Sequence, residues 1–220
     1  MVLLSYPLGP NSPVYPGIRP VAVEPQRSME RGDVCNTYEV RFNNHSGTHL
    51  DAPNHFNPDW PKVSDLSLED FVFERPLLLD VPKGERELIT ADDLRPHLGA
   101  MKEADALLLR TGFFKVRAER PRVYCARNPA LSPKAAEIIL VETPIRAVFI
   151  DSISIGPAWD AHASVETHRI LCGFGRGDGR FVLAVEDVNL GALNFEPKRV
   201  LALPLLLEGI DSAPCVVIAE

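Results

Sequence analysis

Three short segments of this chain are apolar along almost their whole length: Leu77–Val81, Ala106–Arg110 and Ala147–Asp151. A strand with one face in water alternates apolar and polar side chains, whereas a strand covered on both faces is apolar nearly throughout. These segments therefore predict strands of a sheet with protein packed against both of its faces. We expect a mixed sheet with helices packed on it.

Further patterns extend this sheet and place helices beside it. Pro133 at a first helical position predicts a helix over Ser132–Glu142, a capping signal predicts another after Thr90, and a third is expected over Ala161–Leu171. No repeat, low-complexity tract or compositional break marks a linker. We therefore expect a single α/β domain over residues 1–220, a mixed β-sheet flanked by helices. Other strands are predicted at Val2–Ser5, Val34–Phe42, Phe181–Val185, Arg199–Leu207 and Cys215–Ala219.

The charge balance and the cysteines narrow the partners and the compartment. Asp plus Glu number 30 against 23 Lys plus Arg, and the formal charge of −7 has the wrong sign for a nucleic-acid backbone. The longest apolar run, Val200–Leu207, is far shorter than the roughly 18 residues that a membrane-spanning helix needs. The four cysteines form no C-x-x-C pair. We expect a reduced, cytoplasmic protein with neither a nucleic-acid partner nor a membrane segment.

Histidine is scarce in this chain, yet three of its six histidines lie within His45–His55, which reads HSGTHLDAPNH. Asp51 stands between the second and the third. Imidazole and carboxylate groups clustered in this way are typical ligands of borderline divalent metals. Each histidine alone is more simply a surface or core residue, but the cluster predicts a metal site.

The spacing of this cluster also constrains the backbone. Four residues of extended strand span about 13 Å, too far for His45 and His49 to hold one ion, and Gly47 disfavours a helix. We therefore predict a tight turn around Gly47, entered from a strand that ends near Phe42. That turn lets His45, His49 and Asp51 converge and leaves Asp51 a second oxygen for another ion.

The same segment resembles the H-x-G-T-H-x-D-x-P-x-H signature of the bacterial kynurenine formamidases and the wider cyclase-like metal-dependent hydrolases. The resemblance continues along the chain in the family's order. It implies a cyclase-like fold of the swivelling β/β/α type, a small-molecule substrate and a homo-oligomer, most simply a dimer. The other matching segments are Ser5–Leu8, Pro13–Gly17, Ile89–Leu94, Leu109–Gly112, Phe149–Ser152, Pro204–Leu205, Glu208–Gly209 and Ser212–Pro214.

This resemblance implies a site with two divalent metal ions, zinc or manganese. His45, His49 and Asp51 would bind the first ion, with Asp51 bridging to the second. His55 would be the catalytic acid and base.

Two further ligands are implied later in the chain. The family has a histidine in an H-R-x-L-L helix and a glutamate on the following strand, which match His168 and Glu186. The gap between them is eighteen residues where the family has about a dozen, and the glycine-rich segment Gly173–Gly179 lengthens it. His162 remains an alternative to His168.

One departure from the family concerns the substrate. The formamidases place a tryptophan before Pro-Gly, where it stacks on the substrate, and an aspartate after it; Tyr15 and Ile18 stand at these positions here. The resemblance implies that Tyr15 binds substrate by stacking on an aromatic ring. Packing of Tyr15 against the neighbouring prolines is the alternative.

Two functions of different classes follow. The first is a metal-dependent hydrolase in which a metal-bound hydroxide attacks an amide, formamide or lactone carbonyl of a small aromatic or cyclic substrate, while His55 moves the proton. The second is a non-catalytic relative that uses the same pocket to bind a small ligand or a partner protein. The full ligand set together with His55 favours catalysis, because a binding module has no need of an unligated histidine beside two ions.

Overall fold

A computed structural model describes all 220 residues, Met1–Glu220. Its thirteen strands are β1 (Val2–Leu3), β2 (Ala22–Arg27), β3 (Thr37–Arg41), β4 (His49–Asp51), β5 (Val72–Phe73), β6 (Pro76–Asp80), β7 (Leu88–Ile89), β8 (Ala106–Arg110), β9 (Ala130–Leu131), β10 (Ala147–Ile150), β11 (Leu183–Glu186), β12 (Val200–Pro204) and β13 (Ser212–Ala219). Its six α-helices are α1 (Ala91–Leu94), α2 (Leu98–Met101), α3 (Phe114–Glu119), α4 (Pro121–Ala126), α5 (Pro133–Glu142) and α6 (Ala161–Leu171).

Nine strands form one mixed sheet, in the order β5-β12-β13-β4-β11-β10-β8-β6 with β1 beside β13. Strands β6, β8, β10 and β11 run parallel, and the others pair antiparallel. The two ends of this order, β5 and β6, are separated by only Glu74 and Arg75 in the chain, so the sheet curls into a nearly closed barrel. The carboxylate of Asp105 holds this corner, because it accepts hydrogen bonds from the amides of Glu74 and Arg75 at 2.9 Å each.

The pleat of the central strands divides the core into two layers, which confirms the predicted α/β class. On β8, Ala106 and Leu108 join a cluster of buried side chains inside the curled sheet, whereas Leu107 and Leu109 pack on the side of α5 and α6. Successive residues of a strand point to opposite faces, so β8 and β10 are buried on both faces, as their sequences predict. The prediction for Leu77–Val81 was wrong in this respect, because β6 is an edge strand and is only half-buried.

Two predicted helices form as expected. Helix α5 begins after Ser132, whose hydroxyl accepts a hydrogen bond from the amide of Ala135, and α6 begins after Asp160, which caps it in the same way. The helix after Thr90 starts with a capping box but divides into α1 and α2, separated by a 3-10 turn over Arg95–His97 that contains a proline. No helix of the structure has both the length and the apolar character that crossing a bilayer requires.

Strand β3 (Thr37–Arg41) is shorter than the predicted strand Val34–Phe42, and it does not join the main sheet. It pairs with β2, a strand that the sequence patterns did not indicate, in a separate two-stranded ribbon. Every residue of β3 is exposed. Val23 lies opposite Val40 and Pro25 opposite Tyr38, so these four side chains share one face of the ribbon.

Candidate metal centre and active site

The segment that carries the histidine cluster turns sharply and then enters the middle of the sheet. Gly47 has a φ of +67°, a conformation that side chains disfavour, and a Cβ there would come within 2.8 Å of Leu8 Cδ1. This is the turn predicted around Gly47. Beyond it, His49 and Asp51 lie on the same face of β4 because they are two residues apart, and both are buried.

The register of β4 with its two neighbours brings distant acidic residues to this turn. Glu186 on β11 lies opposite His49, and Ser212 on β13 lies opposite Asp51. Asp211, immediately before Ser212, thereby reaches the histidine cluster from the other side. Strand pairing therefore assembles one polar cluster from three widely separated segments.

Helix α6 supplies the histidine on the remaining side. His168 is buried, its Nδ1 donates to the carbonyl of Ser164 at 2.7 Å, and its Nε2 lies 3.3 Å from Glu186 Oε1. The loop after β10 approaches α6 so closely that a Cβ on Gly156 would come within 2.9 Å of the Ser164 Cα and 2.8 Å of the His168 ring. The alternative ligand His162 lies on the outer face of α6 with 92% of its side chain exposed. The structure therefore brings His168, and not His162, to the cluster.

The side chains form two groups that could each hold a metal ion, and Asp51 belongs to both. One group is His45, Asp51 and His55, and the other is His49, Asp51 and Glu186; within each group the ligand atoms lie within 4.8 Å of one another. The resemblance implies a different division, with His45 and His49 on one ion, His168 as a further ligand and His55 outside the ligand sets. In the structure His168 lies beside Glu186 but belongs to neither group.

Several side-chain oxygen and nitrogen atoms of these two groups lack hydrogen-bond partners, as expected of residues that bind a metal. Both carboxylate oxygens of Asp51 and the Nε2 atom of His49 are buried without a hydrogen-bond partner. His49 Nε2 is 3.2 Å from Glu186 Oε2, and His45 Nδ1 is 3.0 Å from Asp51 Oδ1. An unsatisfied buried polar group costs about 1–3 kcal/mol, and more when it is charged. Imidazole and carboxylate ligands that converge in this way fit a divalent cation of the zinc or manganese type.

The pKa values in the cluster reflect the negative charge of its carboxylates, Asp51, Glu186 and Asp211. Burial alone would lower the pKa of His45, but the neighbouring Asp51 and Asp211 carboxylates raise it to about 10. Burial likewise works against a charged His49, and the contact with Glu186 together with the charge of Asp51 raises its pKa. Burial would raise the pKa of Asp51, but the charges of His45 and His55 hold it well below its ordinary value. The site therefore favours positive charge, which a divalent cation would supply.

Three residues near the cluster were missed from the sequence. Asp211 accepts hydrogen bonds from His55 Nδ1 at 2.6 Å and from His45 Nε2 at 3.1 Å. Ser154 donates from its hydroxyl to Glu186 Oε1 at 3.0 Å. The ring of Phe56 stacks on His168 with 5.1 Å between centroids. The only sequence signal for Asp211 is its place between two of the segments that match the family, Glu208–Gly209 and Ser212–Pro214.

A cavity of about 270 Å³ opens directly onto these groups. Tyr15 contributes to its wall, as the resemblance implies for a substrate-binding residue, and burial raises the pKa of its phenol. No lysine or arginine lines the cavity. Its less polar lining consists of Tyr15, Ile18, Phe56, Ile153, Ala161 and Val165, and its polar lining of His45, His49, Asp51, His55, Ser154, Ser164, His168 and Glu186.

Comparison with known proteins places this arrangement in a family. Residues 2–157, which include the whole histidine signature, match the cyclase family model, described as "Putative cyclase". The chain belongs to the cyclase family. An uncharacterized protein from Haemophilus influenzae is 38% identical to it over 104 residues, which are 47% of this chain and 73% of that protein.

Solved structures show that this cyclase-family chain has the fold of metal-dependent hydrolases. Isatin hydrolase A from Labrenzia aggregata, in a complex with benzyl benzoate, superposes with a TM-score of 0.82 at 22% identity, over 99% of this chain and 92% of the other. A predicted metal-dependent hydrolase from Bacillus stearothermophilus gives a TM-score of 0.75 at 25% identity, over 99% and 96% of the two chains. The cyclase-like fold predicted from the sequence is thus confirmed.

Proposed function

We propose that this protein is a metal-dependent hydrolase that opens the amide, formamide or lactone bond of a small aromatic or cyclic substrate. The observation that carries the proposal is Asp51, a buried carboxylate without hydrogen bonds that is shared by two ligand groups at the floor of a cavity. A divalent ion bound there would polarise a carbonyl and lower the pKa of water from 15.7 to about 7. The similarity to isatin hydrolases and metal-dependent hydrolases supports the same reaction class.

The chain's own residues prepare the ligand groups for this task. Glu186 Oε1 accepts hydrogen bonds from the Ser154 hydroxyl and from the Ile155 amide at 2.7 Å, which fixes the carboxylate while its other oxygen faces His49. His49 Nδ1 is 2.8 Å from the carbonyl of Gly47, so it donates there and presents Nε2 to the cluster. Partners of this kind orient metal ligands and set the histidine tautomer.

His55 is the residue we propose for proton transfer. Its side chain is 23% exposed, which leaves it accessible from the cavity, and its Nδ1 is held by Asp211. Hydrolysis of an amide requires a proton on the leaving nitrogen, and a positioned imidazole can accept a proton from water and donate it to that nitrogen. His55 also lies within one ligand group, and we propose that it acts there as the base and does not bind the metal.

The cavity lining favours a neutral substrate. Tyr15, Ile18 and Phe56 offer apolar and aromatic surface, whereas no lysine or arginine is present to pair with a carboxylate of the substrate. An amino-acid substrate such as N-formylkynurenine would leave its carboxylate unpaired, and burying an unpaired charge is unfavourable. We therefore expect neutral cyclic amides and lactones to react better than N-formylkynurenine.

The experiment is a metal analysis combined with a substrate panel. The purified protein is loaded with zinc or manganese and assayed with isatin, an aryl formamide, an aromatic lactone and N-formylkynurenine. Metal-dependent hydrolysis that EDTA abolishes and added metal restores supports the proposal. Tight binding of panel compounds without any turnover would instead support the alternative, a non-catalytic protein that binds small molecules in the same pocket.

A further inference from the structure

One carboxylate connects the two histidines of the first ligand group. Asp211 Oδ2 lies 2.6 Å from His55 Nδ1 and 3.1 Å from His45 Nε2. Its other oxygen, Oδ1, accepts a hydrogen bond from Asn44 Nδ2 at 2.8 Å. Asp211 is therefore held from one side while its second oxygen faces both rings.

These contacts determine where each ring carries its proton. An ionised carboxylate can only accept hydrogen bonds, so His55 donates from Nδ1 and His45 from Nε2. In the neutral rings the other nitrogen then carries a lone pair. For His45 this atom is Nδ1, which lies 3.0 Å from Asp51 Oδ1 at the metal-binding face. For His55 it is Nε2, which makes no hydrogen bond within the chain.

We propose that Asp211 is a positioning residue that assigns different tasks to the two histidines. By accepting from opposite ring nitrogens, it presents the Nδ1 lone pair of His45 to a metal and keeps the Nε2 lone pair of His55 ready to accept a proton. The geometry is that of a carboxylate–imidazole pair in which the carboxylate fixes the tautomer and orientation of a base. This inference rests on the proposed hydrolase function, although the tautomers themselves do not depend on a substrate.

The decisive experiment reads the tautomers directly. Two-bond ¹H–¹⁵N correlation spectra of the zinc-loaded protein report which ring nitrogen of each histidine is protonated. We expect the wild type to carry the His55 proton on Nδ1 and the His45 proton on Nε2. In Asp211→Ala the His55 proton should move to Nε2, whereas Asp211→Asn, which keeps an acceptor oxygen, should preserve the wild-type pattern. Asp92→Asn on α1 is the matched control, since that carboxylate is exposed and does not line the cavity.

Kinetics supply the second readout, with any substrate that the panel identifies. Loss of an outer partner of this kind lowers metal affinity or activity by about 10–100-fold. We expect Asp211→Ala to lose kcat in this range with KM changed less than about twofold, and Asp211→Asn to recover most of it. A merely structural role would predict that Ala and Asn affect kcat equally.

The outcomes separate this inference from the proposed function. If His55 of the wild type carries its proton on Nε2, or keeps it on Nδ1 in Asp211→Ala, the inference is overturned whatever the activity. Should Asp211→Ala fail to fold, the wild-type spectrum alone decides the question. If the tautomers behave as expected but the wild type hydrolyses nothing, the positioning of the two rings stands and the hydrolase function fails.

Discussion

We propose that each of the two ligand groups holds one divalent ion, and replacement of Asp51 by alanine should then remove both ions together, because this carboxylate belongs to both groups. The effect on stability follows from linkage. A ligand at 1,000 times its Kd stabilises the folded state by about 4.1 kcal/mol, and 1 kcal/mol shifts Tm by about 2–4 °C in a chain of 150–250 residues. Each ion should therefore raise the wild-type Tm by roughly 8–16 °C at that concentration.

The assay is differential scanning fluorimetry with and without zinc or manganese, combined with elemental analysis of the dialysed protein. We expect Asp51→Ala to show no rise in Tm and no stoichiometric metal. Asp92→Asn, an exposed carboxylate variant, should respond as the wild type does. Retention of one ion per chain by Asp51→Ala, with about half of the wild-type shift, would refute the shared role of Asp51.

Three further predictions concern packing, pH and assembly. Gly156→Ala should displace α6, lower the free energy of unfolding by about 1–3 kcal/mol and reduce the metal content, whereas Gly99→Ala, where a Cβ meets nothing within 4 Å, should do neither. Urea unfolding and metal analysis of the two variants check this, and equal effects would contradict the close packing of Gly156 as the cause. In metal-free protein the raised pKa of His45 stabilises the folded state fully below pH 6.5, and this stabilisation is lost as the pH rises to about 10. A free energy of unfolding that is as high at pH 10 as at pH 6.5 would contradict this role of His45. We also propose that the apolar face of the β2–β3 ribbon packs against a second copy of the chain, since an isolated two-stranded ribbon is only marginally stable. Light scattering should give twice the chain mass of 24.3 kDa for the wild type and a lower mass for Val40→Lys. A monomeric wild type would disprove the dimer.

The sequence predicts best those features that depend on local pattern. The apolar segments of β8 and β10 require burial on both faces, and Ser132 followed by Pro133 marks where α5 begins. The turn at Gly47 was predicted from the distance that two histidine ligands of one ion can span, and it is present although the structure places His45 and His49 in different ligand groups. In each case residues close together in the chain are sufficient for the prediction.

The features that were missed depend on pairing between distant segments. Asp211 is 156 residues from His55 in the chain, and only the register of β13 with β4 brings the two together. The edge position of β6 follows from the order of the strands, which its own apolar sequence does not encode. The division of the ligands between two groups depends on side-chain directions at the end of the turn, so the sequence suggests His45 and His49 as partners where the structure joins His45 with His55.

We propose above all that His55 moves protons beside the metal ligands without binding metal itself. Metal content and turnover of His55→Ala and His49→Ala, measured side by side, test it most directly. We expect His55→Ala to keep its metal and its metal-dependent Tm while kcat falls by roughly 10²–10⁴, and His49→Ala to lose metal and stability together. If His55→Ala loses metal as readily as His49→Ala, His55 is a ligand and the catalytic assignment is wrong.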